Sequence, residues 1–149
     1  MRGNQRQFIA LGLLALISCS GEPPARPVEE LDVPRVTSTR EGVTRGGLFF
    51  VRWWPDPDPL PVNAPFGVSV VIARADTPDR SDPDALLQIN AFMPAHNHGM
   101  RRVPEVTRDA EGTFNVTGML FHMPGRWELV VRVFSGDLMD ETVFPIDID

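Results

Sequence analysis

The sequence predicts an all-β fold, and three observations carry that reading. Apolar residues recur with period two through most of the chain after residue 45, the mark of half-buried strands. Fifteen prolines and twelve glycines are spread so that no uninterrupted window of helical length remains after residue 20. Clusters of Pro, Gly, Asp and Ser punctuate the alternating runs at short intervals, as turns do. Six or seven strands in about 100 residues suggest an immunoglobulin-like antiparallel β-sandwich of about seven strands, with a closed barrel as the alternative. A signal peptide and a disordered tether are expected to precede it.

Residues 1–18 carry the marks of a lipoprotein signal peptide. Arg2 and Arg6 form a basic start, and Phe8 to Ile17 (FIALGLLALI) is a ten-residue apolar run. A bilayer-spanning helix needs about 20 such residues, whereas a signal-peptide core needs about ten. The run closes on Leu16-Ile17-Ser18-Cys19, which resembles a bacterial lipobox and contains the chain's single cysteine. The resemblance implies cleavage before Cys19 and attachment of lipid there. The chain would then be held on a membrane of the bacterial envelope, facing the periplasm or the cell surface, and at the outer membrane in a Gram-negative cell.

Residues 19–45 read as the lipidated cysteine and a flexible tether. Pro23, Pro24, Pro27 and Pro34 stand among mixed charges with few large apolar side chains, too little to offset the entropy of ordering. Residues 46–149 form the domain. Gly46 to Trp54 offers a first strand. Phe66, Val68, Val70 and Ile72 alternate next, with Val71 making the second face apolar as in a central strand. Leu87, Ile89, Ala91 and Met93 share a face opposite Gln88 and Asn90. Phe114 and Val116 alternate with Thr113, Asn115 and Thr117. Trp127, Leu129, Val131 and Val133 oppose Arg126, Glu128 and Arg132, and Phe144, Ile146 and Ile148 close the chain. Between them, 55–59 (PDPDP), 82–84, 109–112, 124–125 and 135–137 read as turns. Of the pair Trp53-Trp54, one indole must point inward and the other outward.

Charge and composition narrow the function. All fourteen basic residues are arginine against twenty acids, for a net charge of −6. A nucleic-acid binder needs clustered positive charge, so no nucleic-acid partner is expected. A single cysteine excludes an internal disulfide and a multi-cysteine metal cluster. No nucleophile-elbow sequence and no glycine-rich phosphate loop is present, so no enzymatic activity is expected.

What stands out is the placement of soft, neutral ligands. The three histidines lie between residues 96 and 122, and five of the six methionines between 93 and 139. Residues 93–100 read MPAHNHGM, and residues 121–125 read FHMPG. Imidazole and thioether together suit copper, the thioether selecting Cu(I). In an extended stretch, residues two apart point the same way, so His96, His98 and Met100 can converge. His122 and Met123 join them if both segments reach the same end of a sandwich, where loops gather. The same residues also allow a plainer account, in which the histidines fix the loops by hydrogen bonding and Met93 fills the core.

The MPAHNHGM segment after an apolar strand, then GTFNV at 112–116, then FHMPGRWEL at 121–129, resembles the YtkA-like domain and is similar to the related FixH-like proteins. The resemblance covers residues 65 to 144. It implies a small exported or membrane-anchored β-sandwich of bacteria, of a kind often found near respiratory or copper-handling genes. The expectation is a lipid-anchored envelope domain that holds a copper ion through His96, His98, Met100, His122 and Met123. It would buffer the ion or deliver it to a copper-accepting envelope protein. The alternative is a structural or protein-interaction module of the envelope without metal.

Overall fold

A computed structural model describes residues 40–149. The expected signal peptide, the expected lipidation site Cys19 and the expected tether up to residue 39 lie outside the described residues. No helix among the described residues is long and apolar enough to cross a membrane.

Two antiparallel sheets pack face to face. The first joins β1 (Glu41–Val43), β2 (Phe49–Asp56), β3 (Phe66–Arg74), β8 (Phe114–Met119) and β7 (Glu105–Arg108) in that order, with β4 (Thr77–Ser81) also pairing with β3. The second runs β10 (Leu138–Ile148), β9 (Gly125–Ser135), β5 (Leu86–Met93) and β6 (His98–Gly99). In immunoglobulin lettering, β2-β3-β8-β7 corresponds to A-B-E-D, and β5, β9 and β10 to C, F and G. The expected sandwich is therefore the observed one.

The alternating residues do what their period demands. Trp127, Leu129, Val131 and Val133 of β9 are buried, while Arg126 and Arg132 stay exposed. From the other sheet Phe49, Val51 and Trp53 of β2 and Val68, Val70 and Ile72 of β3 meet them in the same core. Burying such a side chain contributes roughly 1.5–3 kcal/mol. Trp53 is fully buried and Trp54 is 44% exposed, as their adjacency requires.

The structure extends the sequence reading at several places. Strand β1 lies at Glu41–Val43, inside the span 19–45 assigned to the tether, so the ordered domain begins before Gly46. Its pairing with β2 places Glu41 opposite Arg52, and their side chains form an ion pair at 2.6 Å. The segment 55–59 is not wholly a turn, because β2 continues through Pro55 and Asp56. Strand β4, TPDRS, is solvent-facing along nearly its whole length and carries no hydrophobic alternation from which it could be read.

At the pole where β10 begins, Asp140 gathers the β1–β2 turn. Its carboxylate accepts the Thr44 hydroxyl at 2.5 Å and the N–H groups of Gly46, Leu48 and Glu141 at 2.9, 3.3 and 2.8 Å. Burial alone would raise its pKa. The Thr44 bond and the backbone donors outweigh burial and lower it from 3.8 to about 2.

Candidate functional site

The histidines sit at the opposite pole, where β5 and β8 end and β9 begins. Strand β5 ends at Met93, and Pro94–His96 makes one 3-10 turn, with proline in its first turn. Asn97 then takes the left-handed conformation (φ 52°, ψ 41°), one of the few non-glycine residues suited to it. The chain returns as β6, placing His98 opposite Met93 and Gly99 opposite Phe92. Residues opposite each other in an antiparallel pair share a face. Met93 is 2% exposed on the core side, so His98 is directed toward the sandwich mouth beside it. Met100 continues the pairing through its N–H to the Ala91 carbonyl at 3.1 Å.

The second segment, 120–124, links β8 to β9 across the same mouth. Its position is held by two contacts. The Leu120 N–H donates to Met100 Sδ at 3.4 Å, joining the two segments directly. The indole N–H of Trp127 donates to the Met123 carbonyl at 3.1 Å. Gly125 starts β9 at φ +122°, and a Cβ there would come within 2.6 Å of Met93 Cε, so the chain passes hard against the core at this point.

The segments therefore meet. Ring centres of His98 and His122 are 4.9 Å apart, and those of His96 and His98 are 5.7 Å apart. Trp127 forms the floor, edge-on to His98 at 5.8 Å and to His122 at 5.3 Å. His98 Nδ1 lies 3.3 Å from the Gly99 carbonyl. The tautomer that donates there leaves Nε2 with the lone pair. His122 Nδ1 is buried and has no hydrogen-bond partner. Burial, then the charge of Arg101, then His98 depress the His122 pKa below its ordinary 6.5, so the ring is held neutral.

A metal about 2 Å from an imidazole nitrogen lies about 3 Å from the ring centre, so two rings on one ion have centres about 5 to 6 Å apart. On ring centres the His98–His122 pair and the His96–His98 pair both meet that condition, and the orphaned His122 nitrogen is the kind of atom a ligand would satisfy. The expected three-histidine convergence is not reached. Among the described residues, no group of three or more His, Cys, Asp or Glu side chains is placed to hold a metal ion. His96 is exposed on the outer turn, one ring further out. Any further ligands would have to be the thioethers of Met100 and Met123, both half-buried and packed against the core. Met93 belongs to that core and is not a ligand candidate.

Two residues of this pole had no role in the sequence reading of the ligands. Trp127 heads the apolar face of its strand in the sequence, yet it is also the surface on which both imidazoles rest. Arg101 acts electrostatically on His122, and its only sequence signal is its place beside Met100.

No family model matches the chain, and no curated protein matches it. Among solved structures, a DUF4426 family protein from Pseudomonas aeruginosa superposes with a TM-score of 0.52 at 13% identity. The match covers 73% of this chain and 94% of that one. The chain shares that protein's fold. At this identity the likeness speaks for a small β-sandwich domain and lends no support to a YtkA-like or FixH-like name.

Proposed function

We propose that this is a non-enzymatic, lipid-anchored envelope domain that binds copper at the histidine pole. The observation that carries the reading is the His98–His122 pair, whose buried His122 Nδ1 has no partner. Two imidazoles and one or two thioethers form a soft, neutral ligand set of the type that favours Cu(I). His96, exposed at the mouth, is suited to pass an ion in or out rather than to hold it. The site lies at the surface, which suits buffering or handing copper to a respiratory or other copper-accepting envelope partner. Lipid on Cys19 would hold the domain at the membrane.

The test is a Cu(I) competition titration of the full chain beside an H98A/H122A variant. One ion per wild-type chain is expected, with affinity lost in the variant and indole emission of Trp127 quenched on binding. Equally weak binding by both proteins sinks the reading. The packing of both rings on Trp127 favours a second reading, in which they only brace the loops. That reading expects the H96A/H98A/H122A variant to melt at lower temperature even with metal chelated.

A further inference from the structure

Strand β5 is open along one side. Its inner neighbour is β9, and β6 covers its outer edge only at Phe92 and Met93. The Ala91 carbonyl faces that edge, because it accepts the Met100 N–H. Alternation along the strand turns the N–H and C=O groups of Ile89 and Leu87 the same way. No strand among the described residues pairs with them there. The Ala91 N–H is closed by Asn90 Oδ1 at 2.8 Å. The vacant lane therefore runs from Leu86 to Asn90, about 17 Å. Two cavities of about 440 and 330 Å³ follow it, sharing Leu87 and Val106 in their walls. Leu86 and Val103, 66% and 91% exposed, stand at its margins. The other edge of the same sheet is guarded, since β10 carries Pro145 and turns Asp140 inward. The open lane reads LLQIN, with neither proline nor charge.

We propose that this lane receives the same lane of a second copy of the chain, the two β5 strands pairing antiparallel about a twofold axis at Gln88. Leu87 of each copy then faces Ile89 of the other, and the outward N–H groups of each meet the outward carbonyls of the other. The lengths agree. Residues 91–93, which β6 covers, fall opposite residues 85–83, before β5 begins at Leu86, so neither β6 obstructs the pairing. The charges agree as well. Asp84 borders the lane at its Leu86 end. Arg101 and Arg102 follow Met100 where the chain leaves it at the other end. The axis brings each end of one lane to the opposite end of the other, so acid meets arginine twice. Of the remaining charged groups along the gap, Arg108 is held by three carbonyls, Arg132 by Glu141, and Glu105 stands on β7 of the other sheet. A contact about 17 Å long covers a few hundred Å² on each copy, below the roughly 800 Å² of a standard interface. The dimer is therefore reversible and depends on concentration.

Sedimentation equilibrium of the full chain tests this beside Gln88→Lys and Gln88→Glu. Gln88 is exposed, so neither substitution disturbs the core. Like charges facing across the axis are expected to weaken dimerisation at least about tenfold in each variant alone. An equimolar mixture of the two variants is expected to dimerise again, because opposite charges then face each other. The amide protons of Leu87 and Ile89 should exchange more slowly as the wild-type concentration rises, and neither variant alone should show that gain. A wild-type chain that stays monomeric up to millimolar concentration overturns the proposal. So does a dimer that ignores both substitutions, or a mixture that stays monomeric. Protection of the two amides that does not depend on concentration would mean that a segment of the same chain fills the lane, and overturns it too.

Discussion

Trp127 concentrates several duties in one side chain. It is fully buried, it contacts the Phe121 ring at 5.1 Å, it supports two imidazoles, and its N–H closes the 120–124 segment onto Met123. Trp127→Phe keeps most of the apolar volume and removes the donor. The Met123 carbonyl then loses its partner, at a cost of about 1–3 kcal/mol. Thermal denaturation of the chelated protein should show that loss, and Cu(I) affinity should fall because the segment carrying His122 is no longer tied down. An unchanged melting temperature would mean that the indole N–H does not hold this segment. The sequence made Trp127 legible as core, since it heads an alternating run, but could not show its second face. That face exists only because β6 and the 120–124 segment arrive from distant parts of the chain.

Among elements, those with a buried face were legible and those without were not. Strands β3, β5 and β9 each place apolar side chains on the core at every second residue, as β8 does from Phe114 to Val116, and hydrophobic alternation records that directly. Strands β1, β4 and β7 are edge pieces held by backbone pairing to a neighbour, and pairing leaves no mark in the sequence of the strand that is paired. How such an edge is secured is visible only in space. From the end of β7, Arg108 donates to the carbonyls of Asp82, Pro83 and Ala85 at 2.5, 2.7 and 3.2 Å, and its guanidinium lies 4.7 Å from the Phe114 ring centre. It thus clamps one sheet to the entry of β5 in the other. Lysine keeps the charge but lacks the planar fork that serves several acceptors. Arg108→Lys is therefore expected to cost about 1–3 kcal/mol in denaturant unfolding. A loss near zero would show that the three carbonyls are equally well served by water.

Across the whole molecule, the two poles respond to acid in different windows, and the sign of each follows from its pKa shift. His122 is depressed below 6.5, so the folded state resists its protonation. Its contribution is complete above that value and is lost as pH falls through 6.5 toward the folded value. Asp140 is depressed from 3.8 to about 2, so the folded state favours its charged form. That contribution, about 2 kcal/mol, is complete above pH 3.8 and is lost as pH falls toward 2. The chelated protein should therefore lose stability in two separate steps on acidification, the first from the histidine pole and the second from the Asp140 knot. Equilibrium unfolding followed against pH checks this with one variant for each pole. His122→Gln should flatten the curve just below pH 6.5 while leaving the lower step in place. Asp140→Asn should lower stability at neutral pH and remove the step below 3.8. Because bound metal requires neutral imidazole, saturating Cu(I) should deepen the first step and leave the second untouched. A single acid transition that both variants shift alike would mean that the poles are not independent.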